Sequence, residues 1–199
     1  DLHSFPTRRS SDLSFYRMPS DSIFIAPRDW RETYKDPSYM CSAYDNMHAP
    51  WSSTHEETWD VVKHTPYVGG QFIWTGFDYI GEPTPYGFPA RSSYFGIIDL
   101  AGQPKDVYYM YQSEWTNKPV LYLFPHWNWK EGQEIDMWCY YNHADEVELF
   151  VNGKSQGVRR KAGSHQYHVS WRVTFEPGEV MVVARKNGQV TLHQSIHTA

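Results

Sequence analysis

The chain has 199 residues, of which 40% are hydrophobic and 21% charged, and its formal net charge is -5 at pH 7. The composition is that of an ordinary globular protein, and the negative charge gives no electrostatic reason to bind nucleic-acid phosphates or anionic lipids. The length excludes a complete (β/α)8 barrel, which takes about 250 residues. The sequence has no apolar run near the roughly 20 residues that span a bilayer. We therefore expect neither nucleic acid nor a membrane as a partner.

The beginning of the chain does not resemble natural protein sequence. Residues 3–13, HSFPTRRSSDL, resemble a translated sequencing adapter and are left out of the fold prediction, with a disordered natural tail as the alternative. Four prolines interrupt the stretch from Ser14 to Pro50, which has no sustained periodicity and is predicted to be a long irregular connection. Its aromatic residues suggest a lid or the wall of a substrate cleft: Tyr16, Trp30, Tyr34 and Tyr44.

A helix followed by a buried strand is predicted next. Ser53 and Glu56 have the spacing of a capping box, and Pro66 ends the helical segment. Residues 69–74 end in an apolar run enclosed by glycines, which is typical of a strand buried on both faces.

Aromatic and acidic residues alternate at the end of that strand. Trp74, Phe77 and Tyr79 are interleaved with Asp78 and Glu82, and prolines 83 and 85 then keep the chain extended or turned. Aromatic rings cover the C–H face of a sugar, while carboxylates accept hydrogen bonds from its hydroxyl groups. The stretch therefore predicts a carbohydrate-binding surface.

A short extended run and a second helix follow. The run covers Tyr94–Leu100, Gly102 marks a turn, and Pro104 is predicted to open a helix that continues to Trp115. A helix, a buried strand, a polar and aromatic loop and another helix are together typical of the closing unit of a (β/α)8 barrel.

Beyond Lys118 and Pro119 the hydrophobic period changes to two, which indicates antiparallel strands. Asn152-Gly153 and Asn187-Gly188 predict tight hairpin turns. About seven strands over Val120–Ala199 predict an immunoglobulin-like sandwich. The predicted fold is an α+β multidomain fragment in which the last βα unit of a (β/α)8 TIM barrel precedes an immunoglobulin-like antiparallel β-sandwich. Its predicted parts are residues 1–13, 14–117 and 118–199.

Three blocks of sequence carry a resemblance to a known family: CSAYDNMHAPWSSTHEETW at 41–59, FIWTGFDYIGEPTPY at 72–86 and SSYFGIIDLAGQPKDVYYMYQSEW at 92–115. They resemble the end of the catalytic barrel in β-galactosidase-like enzymes of glycoside hydrolase family 2, and the resemblance extends from about Ser14 to the end of the chain. It implies a retaining hydrolase whose partner is a β-galactoside. A β-glucuronidase, a β-mannosidase and a non-catalytic carbohydrate-binding or scaffolding sandwich are the alternatives.

The resemblance also implies the roles of single residues. Trp74 matches a tryptophan that lines the sugar pocket, and Asp78 and Glu82 match positions that reach toward substrate hydroxyls, with hydrogen bonds that merely hold the loop as the alternative. The two catalytic glutamates match nothing in this sequence and are inferred to lie upstream, so no catalytic residue is assigned. Asp78 and Glu82 lie on one loop and are not expected to be that pair.

Other candidate residues lead to weaker predictions. Trp127 and Trp129 suggest a contact between domains or an extension of the sugar surface. His193 and His197 are about 13 Å apart along a strand, too far to share an ion, so no metal site is predicted. Without phosphate-binding glycine loops or Cys-x-x-Cys pairs in the sequence, no cofactor is predicted either.

Overall fold

The computed structural model describes residues 44–45, 52–83, 91–93 and 95–199. The chain divides into two compact units, residues 1–108 and 109–199. Predictions for residues 1–13 and for Tyr16, Trp30 and Tyr34 lie outside the described residues, while Tyr44 is buried. In the described part, no helix is both long and apolar enough to cross a membrane.

The first helix, α1, covers His55–His64. Its capping box is formed by Thr54 and Glu57, since the Thr54 hydroxyl accepts from the Glu57 amide at 3.1 Å and the Glu57 carboxylate accepts from the Thr54 amide at 3.0 Å. The predicted box of Ser53 and Glu56 is therefore wrong by one residue. Both pairs have the same spacing, but the Ser53 hydroxyl bonds to that of Thr58 instead.

The predicted strand at 69–74 is not formed. These residues have no strand assignment, and Phe72 is 99% exposed. A strand buried on both faces needs neighbouring strands and covering layers, and the described residues of this unit supply none there. Residues 75–81 instead run alongside residues 91–98, with isolated bridges from Phe77 to Ile98 and from Ile80 to Ser92.

The second helix, α2, covers Asp106–Trp115 and contains the division between the two units. It begins two residues later than predicted, because Pro104 lies in a bridge with Ile98. The predicted helical period is confirmed, since Val107, Met110 and Tyr111 are buried.

Seven strands form two antiparallel sheets in the second unit. The three-stranded sheet has the order β1-β2-β5, with β1 at Leu121–Phe124, β2 at Glu134–Tyr141 and β5 at His168–Thr174. The four-stranded sheet has the order β4-β3-β6-β7, with β3 at Glu146–Val151, β4 at Lys154–Arg159, β6 at Glu179–Lys186 and β7 at Gln189–His197.

Alternate residues of both sheets form the core, as the period of two predicts. The buried set comprises Ile135, Met137, Cys139, Val147, Leu149, Val151, Val169, Trp171, Val173, Val180, Val182 and Ala184. Burial raises the pKa of the Cys139 thiol to about 12, so this cysteine is an inert part of the core.

Hydrogen bonds join the two sheets at both edges. The Trp171 indole donates to the Gly157 carbonyl of β4 at 2.8 Å, and the Gln194 amide oxygen accepts from the Leu123 amide of β1 at 2.7 Å. Asn152 and Asn187 have φ angles of 48° and 51°, each followed by a glycine with positive φ, so both predicted tight turns are confirmed.

Candidate functional site

The segment that contains the predicted sugar-binding residues is held in place by its backbone. The Thr75 amide donates to the Phe95 carbonyl at 3.0 Å, the Asp78 amide to the Ile98 carbonyl at 2.9 Å, and the Ser93 amide to the Tyr79 carbonyl at 2.8 Å. The approach requires a glycine at position 96, where a Cβ atom would lie 2.1 Å from the Asp78 nitrogen. Residues 75–81 therefore have a defined path although they form no regular strand.

Trp74 and Glu82 are joined by a chain of side-chain hydrogen bonds. The Trp74 indole N–H donates to the Tyr79 hydroxyl at 3.3 Å, and that hydroxyl donates to a Glu82 carboxylate oxygen at 2.9 Å. A tyrosine hydroxyl can accept one bond while it donates another, which is the use made of it here. The structure thus brings together two of the three predicted site residues.

These side chains are accessible to a ligand. Trp74 is 48% exposed, and Glu82 is exposed as well. The Tyr79 ring is held from behind by Phe95, which is fully buried, at 5.9 Å between ring centroids. An exposed indole beside an oriented carboxylate provides the stacking face and the hydrogen-bond acceptor that a sugar needs.

Asp78 lies in a different environment from its two predicted partners. It is buried, and one of its carboxylate oxygens accepts from the Gly96 amide at 2.8 Å and from the Lys105 ammonium at 2.7 Å. Burial raises the pKa of this carboxyl, while the hydrogen bond and charge of Lys105 act in the opposite direction. Asp78 therefore holds the loop from below, which matches the alternative considered for it.

A second buried carboxylate caps α1. The Asp45 oxygens accept from the amides of His55 at 3.1 Å and Glu56 at 2.8 Å, the first free amides of the helix. Burial raises the pKa of Asp45 to about 8. Burial also lowers the pKa of His55 well below its usual value, and the positive charge of Lys105 acts in the same direction. Lys105 thus acts on both Asp78 and His55.

Two residues of this arrangement were not selected from the sequence. Tyr79 lies within the aromatic stretch and is three residues from Glu82, a spacing that could have indicated the contact. Lys105 is 27 residues from Asp78, and nothing local in the sequence pairs them.

The other candidate aromatic residues lie in the sandwich unit. Trp127 is fully buried, donates to the Glu176 carbonyl at 3.1 Å and packs edge-on against Phe175, so it cannot form a sugar surface. Trp129 is half-buried and stacks on His126 at 4.2 Å between ring centroids. His197 lies 3.6 Å from a Glu179 carboxylate oxygen.

Known proteins match both the sequence and the fold. Residues 132–192 match the family model described as Domain of unknown function (DUF4982). The chain is 65% identical over 185 residues to Beta-galactosidase BoGH2A of Bacteroides ovatus, which covers 93% of this chain and 22% of that protein. It is 27% identical over 182 residues to a Beta-glucuronidase of Bacteroides fragilis, which covers 90% of this chain and 23% of that protein.

A solved structure gives the same result. The crystal structure of a beta-glycosidase from Bacteroides vulgatus superposes with a TM-score of 0.74 at 31% identity, over 93% of this chain and 25% of that one. The chain therefore spans about a quarter of the length of such proteins. Its blocks of sequence, its sandwich and these relatives define a part of a glycosidase. The chain belongs to glycoside hydrolase family 2, and the resemblance found in its sequence is confirmed.

Proposed function

We propose that this chain is the C-terminal part of a retaining glycoside hydrolase that acts on β-galactosides, and that it supplies one wall of the sugar site. The observation that carries the proposal is the exposed Trp74 indole, linked through the Tyr79 hydroxyl to the Glu82 carboxylate. In the proposed wall, Trp74 stacks on the sugar ring and Glu82 accepts hydrogen bonds from its hydroxyl groups. Asp78 contributes by fixing the loop that contains both.

The choice of a β-galactoside rests on kinship. The relative that is 65% identical over 185 residues has the name Beta-galactosidase. A Beta-glucuronidase at 27% identity supports the alternative specificity less strongly. A β-mannosidase has no support of this kind among the proteins compared above.

The catalytic pair is proposed to come from the part of the enzyme that precedes residue 14. A retaining glycosidase needs two carboxyl groups about 5–5.5 Å apart, one as nucleophile and one as acid and base. Asp78 is buried and bonded to Lys105, so it is not available to attack an anomeric carbon. Glu82 alone cannot perform both roles.

The finer fold assignment belongs to the same proposal. We infer that residues 14–117 form the end of a (β/α)8 barrel and that residues 118–199 form an immunoglobulin-like sandwich. The strand orders β1-β2-β5 and β4-β3-β6-β7 support the second part, because they match the immunoglobulin arrangement apart from the fourth strand, which pairs with the third. The order of α1, the loop at 75–83 and α2 supports the first part.

Cloning the adjoining upstream gene sequence and expressing the intact enzyme tests the proposal. We expect the intact enzyme to hydrolyse a chromogenic β-galactoside and the 199-residue chain not to do so, because loss of one catalytic carboxylate alone typically removes several orders of magnitude in rate. Turnover by the 199-residue chain above that of its Glu82→Gln, Asp78→Asn double variant would contradict the assignment of the catalytic pair. An intact enzyme inactive on all β-glycosides would contradict the proposed function itself.

A further inference from the structure

The charge of the proposed sugar wall comes from acidic residues alone. Residues 65–90 contain Asp78 and Glu82 but no lysine, arginine or histidine. The Asp78 charge is offset by the Lys105 ammonium at 2.7 Å, with both groups largely withdrawn from solvent. Glu82 forms no ion pair among the residues that the structure describes. The wall therefore presents one uncompensated negative charge, at Glu82.

The orientation of this charge is fixed. The Tyr79 hydroxyl occupies one Glu82 oxygen at 2.9 Å, and Tyr79 is itself positioned by the Trp74 indole and the ring of Phe95. The other carboxylate oxygen has no protein donor in the described part of the chain, so it can accept a bond from a ligand. An ionised carboxylate only accepts hydrogen bonds, and it repels a second carboxylate close by.

From this we infer that Glu82, oriented by Tyr79, makes the site select neutral β-hexosides and reject β-hexuronides. The inference rests on the proposed function and adds the substrate class. A neutral sugar offers the Glu82 oxygen a hydroxyl donor, whereas a uronate brings a like charge to a wall that contains no cation to neutralise it. Trp74 stacks on either sugar, so the discrimination comes from Glu82.

The basic residue that follows this segment is Arg91. Its carbonyl accepts from the Gly81 amide at 3.0 Å, which brings its backbone next to the loop, and its side chain is exposed. It forms no ion pair with Glu82 in the described structure. If Arg91 were a receptor for a uronate carboxylate, its removal would selectively lower activity on charged substrates, which gives the test a second arm.

The test compares three chromogenic substrates of the intact enzyme: a β-galactoside, the matching β-galacturonide and the methyl ester of that galacturonide. The last two differ only in charge. We expect the wild type to prefer the galactoside and the ester over the free galacturonide, by about tenfold or more in kcat/KM. The preference should weaken when the salt concentration rises from about 0.01 to about 1 M, which shortens the screening length from about 30 to about 3 Å.

Variants assign the effect to Glu82. In Glu82→Gln the ratio of ester to free galacturonide should fall about tenfold, and Tyr79→Phe, which keeps the ring but breaks both hydrogen bonds, should reduce it partially. Glu131→Gln, an exposed position in a turn of the other unit, is the matched control and should leave the ratio unchanged.

Each outcome decides between the two proposals. Hydrolysis of the galactoside with an ester-to-galacturonide ratio that Glu82→Gln does not change overturns this inference and leaves the proposed function standing. The same holds if the wild type prefers the free galacturonide and loses that preference in Arg91→Gln. Failure to hydrolyse any of the three substrates overturns the proposed function and this inference with it.

Discussion

Large apolar side chains have opposite environments in the two units. In the sandwich, Trp127, Tyr140 and Trp171 are buried. In the preceding unit, Phe72 is 99% exposed, Tyr67 79% and Ile80 75%. Contiguous exposed apolar surface of this kind marks a site of contact with other protein or with a ligand. In the proposed intact enzyme, the neighbouring barrel strands would cover Phe72 and Ile80.

The two units also differ in what fixes their described residues. The sandwich is fixed by interlocking core side chains and by hydrogen bonds at its sheet edges. The first unit is fixed by buried polar groups, with Asp45 at the amides of α1 and Asp78 between Gly96 and Lys105. The difference teaches that one sequence can contain a self-sufficient core beside a segment whose order depends on a few polar contacts.

The largest effect is expected from the sandwich core. Trp171→Ala removes a buried indole and leaves the Gly157 carbonyl without its donor at 2.8 Å, so we expect a loss of about 4–6 kcal/mol in the free energy of unfolding. Urea denaturation of the 199-residue chain measures this loss. In a Cys41→Ser background, labelling of the buried Cys139 thiol reports opening of the same core.

Trp129→Ala is the control for that substitution. Trp129 is half-buried and stacks on His126, so its truncation should cost clearly less. Equal losses for the two variants would show that the sandwich is not stabilised mainly by its interlocked core.

The next largest effect tests the polar contacts of the first unit. Lys105→Met leaves the buried Asp78 carboxylate without its cation, and breaking such a pair costs about 3–5 kcal/mol. Because burial raises the folded-state pKa of Asp78, the folded form binds its proton more tightly than the unfolded form does. Stability of the variant should therefore fall as pH rises through that range and recover as pH falls and Asp78 takes up its proton.

Thermal unfolding of the intact enzyme at several pH values measures the effect. The double variant Lys105→Met, Asp78→Asn should recover most of the lost stability, since asparagine still accepts from the Gly96 amide without a charge. A Lys105→Met enzyme as stable as the wild type at all pH values would show that the ion pair does not hold the loop.

The same contrast explains what could be predicted from the sequence. The strands, the Asn-Gly turns and the two helices follow from local patterns of side chains and were found, with errors of one or two residues at Thr54 and Pro104. The strand at 69–74 was wrong, because an apolar run states that a segment is to be buried but cannot supply the neighbours that bury it. The Asp78–Lys105 contact joins residues 27 positions apart and depends on the fold alone.

In the candidate site, the residue types were predictable and their arrangement was not. Trp74 and Glu82 follow from the chemistry that a sugar requires, whereas the separation of Asp78 from them depends on burial. In an alternating stretch, neighbouring carboxylates point in different directions, and only the structure shows that Glu82 faces solvent while Asp78 does not.

A smaller effect is expected at the exposed indole. Trp74→Ala in the intact enzyme removes the proposed stacking face and the donor to Tyr79, and should cost about 1–3 kcal/mol of transition-state binding, seen as a lower kcat/KM. Trp74→Phe keeps an aromatic face and should lose less. If kcat/KM is unchanged in Trp74→Ala, the indole has a packing role only.

The smallest effect concerns the boundary between the two units. We expect residues 118–199 to fold alone, because all seven strands and their turns lie within that range. A fragment that begins at residue 104 should be more stable by about 2 kcal/mol, since it keeps α2. From this helix Tyr109 stacks on Tyr122 at 3.7 Å between ring centroids, and the Ser113 carbonyl accepts from the Asn142 side chain at 3.1 Å.

Urea denaturation of the two fragments measures the difference, with Tyr109→Ala in the longer fragment as the control that removes the ring stack and keeps the helix. That variant should lose about 1 kcal/mol of the gain. If the shorter fragment shows neither dispersed amide resonances nor a cooperative transition, the sandwich is not self-sufficient, and α2 is then an obligatory part of its core rather than a helix packed against it. Equal stabilities would place the independent boundary at residue 118, where the period of the sequence changes.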